Sequence, residues 1–437
     1  MMSVEVRLNP LDLSSHMTDM RVWLDSHGVD GTGFSYAEHI HGATARVSFN
    51  MQAQAEAFAA RFSGRIVHST LAVVEIGTPM AALPLPVVGV VSAVSRHDKE
   101  SLARYENAVL AKSVLQLATS IGLFLAACAA MYWALQTSYM LTLVLAIPTG
   151  ALLVRVFIVQ HDCGHGAFFA SRRANDAVGM LCSLMTLTPY ANWQHQHARH
   201  HGNWNNLDRR LSGADIYSSC LTLKEYRNLS AWQRFIYRLT RHPIIAHLLL
   251  PPFIFAVLYR VPFDTPRGWR RERRSVYCTD AALLVLFGAL GSVIGYEQVL
   301  LVQVPILLVG SIVGVWLFAV QHRFETALWA RREEWDFATA ALEGSSYLRL
   351  PRVLQWFTGN IGFHHIHHLS PRVPNYRLEE CYAALPALRA VTPLALWSAL
   401  KSVTLILWDE DRRRLVGWRE AHATPAARRR RHLISVS

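Results

Sequence analysis

The chain has 437 residues, of which 52% are hydrophobic and 17% charged, with a formal net charge of +12. A positive mean hydropathy of +0.19 at that length excludes an ordinary soluble enzyme and points to a membrane protein with large aqueous portions. The basic excess clusters between and after the apolar runs, which suits an anionic membrane leaflet better than nucleic acid.

The six cysteines, Cys128, Cys163, Cys182, Cys220, Cys278 and Cys381, form no CxxC pair and read as free thiols in a reducing setting. The N-terminus alternates as VEVRL rather than following a basic start with an apolar core, so no cleavable signal peptide is expected and an internal segment directs insertion.

Residues 1–77 predict a small α+β domain. SVEVRL alternates as a strand, SSHMTDMRVWLDSHGV is spaced as a helix, and GFSYAEHI and ATARVSFN read as two strands. MQAQAEAFAARF reads as a second helix and RIVHSTLAVVEI as a last strand. The order strand, helix, strand, strand, helix, strand suggests a ferredoxin-like sandwich. The segment holds no cysteine, so it carries no iron–sulfur cluster. A docking or regulatory module and a merely stabilising extension both remain open, and His39 and His41 read as surface residues near a hairpin turn. Pro79, Pro84 and Pro86 mark a linker over 78–100.

Four segments are long and apolar enough to span a bilayer: SVLQLATSIGLFLAACAAMYWAL, YMLTLVLAIPTGALLVRVFIV, YCTDAALLVLFGALGSVIGY and VLLVQVPILLVGSIVGVWLFAV. They are expected to pair as two helical hairpins. The connections QTS and GYEQ lack Lys and Arg, whereas basic residues crowd 96–112, 172–274 and everything past 322. By the positive-inside rule both termini and the long central loop are cytoplasmic. The shorter apolar stretches 177–190 and 243–259 read as interfacial or re-entrant. Residues 393–437 read as a basic cytoplasmic tail, its end TPAARRRRHLISVS solvated and lipid-touching.

With that topology the histidines fall together. HDCGH sets His161 and His165 four apart where the second span ends; HARHH sets His197, His200 and His201 on one helical face; HHIHH repeats the spacing with His364, His367 and His368. His322 in AVQHRFE lies just past the fourth span. One such cluster is usually a satisfied surface feature, but three with matched spacing are not. Neutral imidazole suits iron, copper and zinc, and nine rings exceed what one ion can use, so two neighbouring metal ions are the economical reading. Asp162, Asp208, Asp215 and Glu325 are the candidate carboxylates to orient those rings, and Asn360 a candidate to hold a metal-bound water. His195, His365, His242 and His247 fall off the spacing and are read as non-ligands. Tyr190, Trp193 and Trp204 read singly as interfacial aromatics, with an acyl-tunnel lining as the alternative.

HDCGH, HARHH and HHIHH, in that order around two pairs of spans, resemble the three histidine boxes of the membrane fatty acid desaturases over about 100–390. NNLDRR with GADIYS, AVQHRFE, WDFATAALEGSSYLRLP and TGNIGFHHIHHLSPRVPNY are similar to bacterial acyl-lipid desaturases in particular. The resemblance implies an all-α integral membrane domain over 101–392, placed in a bacterial inner membrane, with a cytoplasmic helical cap. It also implies two non-haem iron ions held by His161, His165, His197, His200, His201, His322, His364, His367 and His368, with molecular oxygen as co-substrate. Taking hydrogens from an unactivated methylene requires a strong oxidant, which iron with oxygen can generate, while the protein supplies placement and dryness. No His-Pro-Gly-Gly haem segment is present, so a separate ferredoxin-type donor is implied, an acidic one suiting the Arg-rich surface. A hydroxylase or ketolase on the same metal site is the close alternative. A metal transporter is disfavoured because the spans hold few polar groups, with Arg155 and Asp280 near their ends.

Overall fold

A computed structural model describes residues 2–8, 20, 23–24, 35–39, 42–49, 51–68, 101–210, 217 and 219–422. The chain divides into two compact units, one N-terminal and one that begins at Ser101.

The N-terminal unit is a four-stranded sheet with strands β1 (Met2–Leu8), β2 (Ser35–His39), β3 (Gly42–Phe49) and β4 (Arg65–His68) in the order β2-β3-β1-β4. All three pairings are antiparallel, with Val4 opposite Val47 and Ile66. Period-two alternation turns Val4, Val6, Ala45 and Val47 inward, while Glu5 and Arg46 pair on the other face. Helix α1 (Gln52–Phe62) adds Ala55 and Phe58 to that core. It stops at Ser63, whose φ of 53° is followed by Gly64, where a Cβ would stand 2.6 Å from the Val4 side chain. Of the first predicted helix only Met20, Trp23 and Leu24 are described, and Met20 and Leu24 are buried. His41, the linker and the strand residues past His68 lie outside the described residues.

The second unit is built on four helices of membrane length: α2 (Leu110–Leu135), α3 (Tyr139–Gly164), α6 (Arg270–Ile294) and α7 (Tyr296–His322). Between the two pairs come α4 (Arg172–Thr186) and α5 (Tyr190–Asn203). At 26 residues, α3 runs about 39 Å by helical rise against a hydrocarbon layer of roughly 30 Å. About 9 Å of rigid helix therefore overhangs the apolar run, and that overhang carries the first histidines. The apolar stretch of α3 is 61% buried and that of α6 17%, so α3 is the inner helix and α6 turns most of its side chains outward. Close approach of α3 to α7 depends on Gly150, where a Cβ would meet Val309 at 2.5 Å, and on Gly310 opposite Leu153.

The expected pair of hairpins is modified in its second half. α6 and α7 are joined through Gly295 at φ 107°, but α7 packs along α3 and α2 rather than along α6. Leu284, Val285 and Val293 of α6 are left exposed, apolar surface that a bilayer solvates at no cost. The stretch predicted as interfacial over 243–259 forms a pair of helices, Ala231–Thr240 and Ile245–Arg260, bent by 49°.

Residues 393–422, expected as part of a basic tail, are folded. Pro393–Ala395 pairs with Tyr347–Arg349, and Leu407–Asp409 bridges Leu221–Thr222 and Arg414–Val416. The cause is an apolar patch in the basic run: Ile406, Leu407 and Trp408 are each at most 2% exposed. Residues 423–437 lie outside the described residues.

Candidate metal centre

Each histidine is placed by a helix end that the sequence terminates locally. The overhang of α3 delivers His161 on its last full turn and His165 at its C-cap. α5 begins after Pro189 and presents His197, His200 and His201 on one face. α7 ends at His322. The short helix α8 (His364–Leu369) carries His364, His367 and His368. Backbone and amide bonds lock these ends together: Gln194 donates to the Gly164 carbonyl at 2.9 Å, and Gln321 donates to Ile361 at 3.2 Å. Ser346 N–H donates to the Gln321 carbonyl at 2.9 Å, and Arg323 donates to Leu405.

The rings from these four helices meet. His161, His165, His197, His201 and His367 form one group and His200, His322 and His368 a second, each able to direct ring nitrogens to within 4.8 Å of one another. His364 adjoins the second, its Nε2 lying 3.0 Å from that of His322. His200 Nε2 also lies 3.0 Å from His322 Nε2. In the first group His201 Nε2 is 3.2 Å from His197 Nε2 and 3.1 Å from His367 Nε2. His201 and His368 stack at 4.1 Å and so join the groups.

These separations carry chemical information. Nitrogens held about 2.1 Å from one ion and 90° apart are separated by about 3.0 Å, whereas a tetrahedral angle would give about 3.4 Å. The observed spacing is compatible with nitrogens that share one metal ion. Two of the rings also lack other employment: among the described residues Nε2 of His165 and both nitrogens of His368 have no hydrogen-bond partner. Buried polar groups left so would each cost about 1–3 kcal/mol. Burial, reinforced by neighbouring rings, holds His165, His197, His201, His364, His367 and His368 well below the usual histidine range. All six are neutral at pH 7, the form that binds metal.

The surroundings sort the remaining candidates. Asp162, 1% exposed, sits 3.2 Å from His161 Nδ1 and accepts from the backbone and side-chain N–H groups of Asn375 at 2.6 and 2.8 Å. A proton on His161 Nδ1 directed to that carboxylate leaves Nε2 for a metal. Asp208 is turned elsewhere, accepting from Arg331 at 2.8 Å and from the Arg332 N–H. Glu325 is likewise turned outward, 62% exposed and paired with Arg414 at 3.0 Å. In both, a nearby guanidinium in solvent outcompetes a neutral buried ring. Asp215 lies outside the described residues. Asn360 donates to the Asn375 carbonyl at 3.2 Å and lines a neighbouring cavity.

Of the histidines read as non-ligands, His195 faces Glu272 at 3.2 Å, His365 packs on Tyr347 and Tyr382, His247 packs near Tyr217, and His242 is exposed. The aromatic residues read singly as an interfacial belt are buried instead. Trp193 stacks on His197 at 4.8 Å, and the Trp204 ring lies 4.4 Å from His368. Tyr190 fills the hollow at Gly179 and donates to Asp176 at 3.4 Å. Missed by sequence reasoning were Asn375, Glu272 and Phe318, whose ring lies 5.1 Å from His200 and 5.6 Å from His322. Phe318 stands four before His322 on α7, and that helical spacing could have found it.

Four membrane-length helices and a buried nest of neutral imidazoles define a membrane protein with a histidine cluster able to hold metal. Residues 136–398 match the family model for fatty acid desaturases, and the chain belongs to that family of oxidoreductases. It is 42% identical over 296 residues to a fatty acid desaturase of Bacillus subtilis (strain 168), covering 68% of this chain and 83% of that one. An sn-2 acyl-lipid omega-3 desaturase (ferredoxin), chloroplastic, of Helianthus annuus is 30% identical over 276 residues, 59% of this chain and 56% of its own. An sn-1 oleoyl-lipid 12-desaturase of Picosynechococcus is 26% identical over 250 residues, 54% and 67% of the two chains.

Proposed function

We propose that this desaturase introduces a double bond into acyl chains carried on membrane lipids. In this reading it uses two non-haem iron ions, molecular oxygen and electrons from a separate ferredoxin-type donor. The observation that carries the reading is the meeting of nine imidazoles from four helices, six of which bring ring nitrogens to 3.0–3.2 Å of one another: His197, His200, His201, His322, His364 and His367. His161, His165, His197, His201 and His367 would hold one ion, and His200, His322, His364 and His368 the other. When bound, the iron supplies with oxygen and two electrons the oxidising power to remove two hydrogens from adjacent methylenes.

The rest is the work of the chain itself. Burial keeps the ligand rings deprotonated. Asp162 fixes His161 in one tautomer and orientation. Trp193, Trp204 and Phe318 pack against ligand rings and exclude water. An acyl-lipid substrate is supported by the Helianthus annuus and Picosynechococcus relatives, which are named as acyl-lipid and oleoyl-lipid desaturases. A cytoplasmic site in a bacterial inner membrane is supported by the absence of Lys and Arg from the two short connections. The strand order β2-β3-β1-β4 supports a ferredoxin-like N-terminal module, to which no part in metal binding is assigned.

The test is expression of the wild type and of His200→Ala and His367→Ala in a host without desaturases, with gas chromatography of its lipids and iron analysis of purified protein. Both variants should reach the membrane and yield no unsaturated product. Product from either refutes the ligand assignment.

A further inference from the structure

A cavity of about 560 Å³ opens beside the metal centre, between the first turns of α2, Arg155 of α3 and the helix Arg352–Phe357. Its volume falls within the roughly 300–1,000 Å³ of ligand-holding pockets. Three cations line it, Lys112, Arg155 and Arg352, against the single carboxylate of Glu379. Lys112 is also 3.4 Å from Glu380.

Arg155 is the informative residue. It is 6% exposed within a membrane-length helix, and among the described residues no carboxylate pairs with it. Its guanidinium donates to the Trp356 carbonyl and lies 4.0 Å from the centroid of that ring, while its Nε has no partner. Gln116, also 6% exposed, donates to Asn375 Oδ1 at 2.7 Å and ties the cavity wall to Asn375. A backbone carbonyl and an aromatic face steady the Arg155 cation but leave its charge unneutralised, and a buried charge in a span that lines a cavity with two further cations marks a place where an anion fits.

The level in the membrane says which anion. Lys112 stands where the apolar run of α2 begins, and Arg155 lies four residues, about 6 Å by helical rise, before the apolar run of α3 ends at Val159. Both groups reach the boundary between hydrocarbon and headgroups. The lip is apolar: Leu115 is 65% exposed and lines the cavity. We propose that this cavity binds the phosphate of a membrane glycerophospholipid between Lys112, Arg155 and Arg352, with Leu115 meeting the chains. The floor residue Asn375 also bonds Asp162, so the bound headgroup would abut the support of His161. The claim concerns binding and stands apart from which lipid is desaturated.

The test uses the full-length, iron-loaded protein in dodecyl maltoside, with dihexanoyl phosphatidylglycerol, uncharged dihexanoylglycerol and inorganic phosphate as separate probes in calorimetric titrations. The phospholipid should saturate one site, with the other two probes binding at least about tenfold more weakly. Arg155→Gln should weaken the phospholipid about tenfold or more. The double variant Lys112→Gln with Arg352→Gln changes only exposed residues and serves where Arg155→Gln fails to fold; it should do the same with iron content and melting temperature unchanged. Unweakened binding in the double variant overturns the proposal. So does equal binding of the uncharged diacylglycerol, and so does inorganic phosphate binding as tightly as the lipid.

Discussion

Asp162→Asn isolates the support of one proposed ligand, His161, without changing shape. The native carboxylate accepts two N–H bonds from Asn375 at 2.6 and 2.8 Å and lies 3.2 Å from His161 Nδ1. An amide there must turn its NH2 either to His161 or to Asn375, setting donor against donor in one of the two places. The charge assistance is lost as well, and hydrogen bonds to charged groups contribute about 1.5–3 kcal/mol against about 0.5–1.5 for neutral ones. Removing such an outer partner typically lowers metal affinity or activity about 10–100-fold, or about 1.4–2.7 kcal/mol. Titration of the iron-loaded protein with a chelator should show that loss for Asp162→Asn. The controls Asp208→Asn and Glu325→Gln, whose carboxylates face Arg331 and Arg414, should leave iron affinity unchanged. Wild-type iron affinity in Asp162→Asn would refute the argument.

Three further outcomes can be measured. Gly150→Leu drives side-chain atoms into Val309 and Gly310 and should cost about 1–3 kcal/mol or more from overpacking; an unchanged melting temperature in detergent would mean that α3 and α7 do not approach as described. His365, held neutral by burial with its value down to about 3, is depressed below its unfolded value of about 6.5. Its contribution is therefore complete above pH 6.5 and falls as pH drops toward 3, by about 2 kcal/mol at pH 5. The melting temperature of His365→Gln should thus fall less between pH 6.5 and 5 than that of the wild type, and parallel slopes would count against the assignment. Deleting residues 2–77 should leave bound iron intact; iron lost from an otherwise folded protein would show that the N-terminal unit supports the centre.

Much of the centre was legible because its information is local. A span is a matter of length and hydropathy, and a ligand face is a matter of i, i+3 and i+4 spacing, so HARHH and HHIHH announce one-sided helices wherever they are placed. The partners of those faces were less so. Asp162, Asp208 and Glu325 look alike as acids near histidines, yet only Asp162 turns to a ring, because the other two meet arginines brought from positions 331 and 414. Asn375 is silent in the sequence, since its role depends on the end of α3 reaching it across more than two hundred residues. The folding of 393–422 was hidden by its charges, because Ile406, Leu407 and Trp408 acquire their burial only when Leu221–Thr222 supplies the other strand.

The sequence by itself determined that four helices are long and apolar enough to cross a membrane and that nine imidazoles stand on helical faces near their ends, because both follow from chain-local periodicity. Only the tertiary structure decided which rings share a group, which acid steadies His161 and which cations line the cavity nearby. Those choices are made by side chains distant in sequence competing for the same buried partners, and that competition has no local signature.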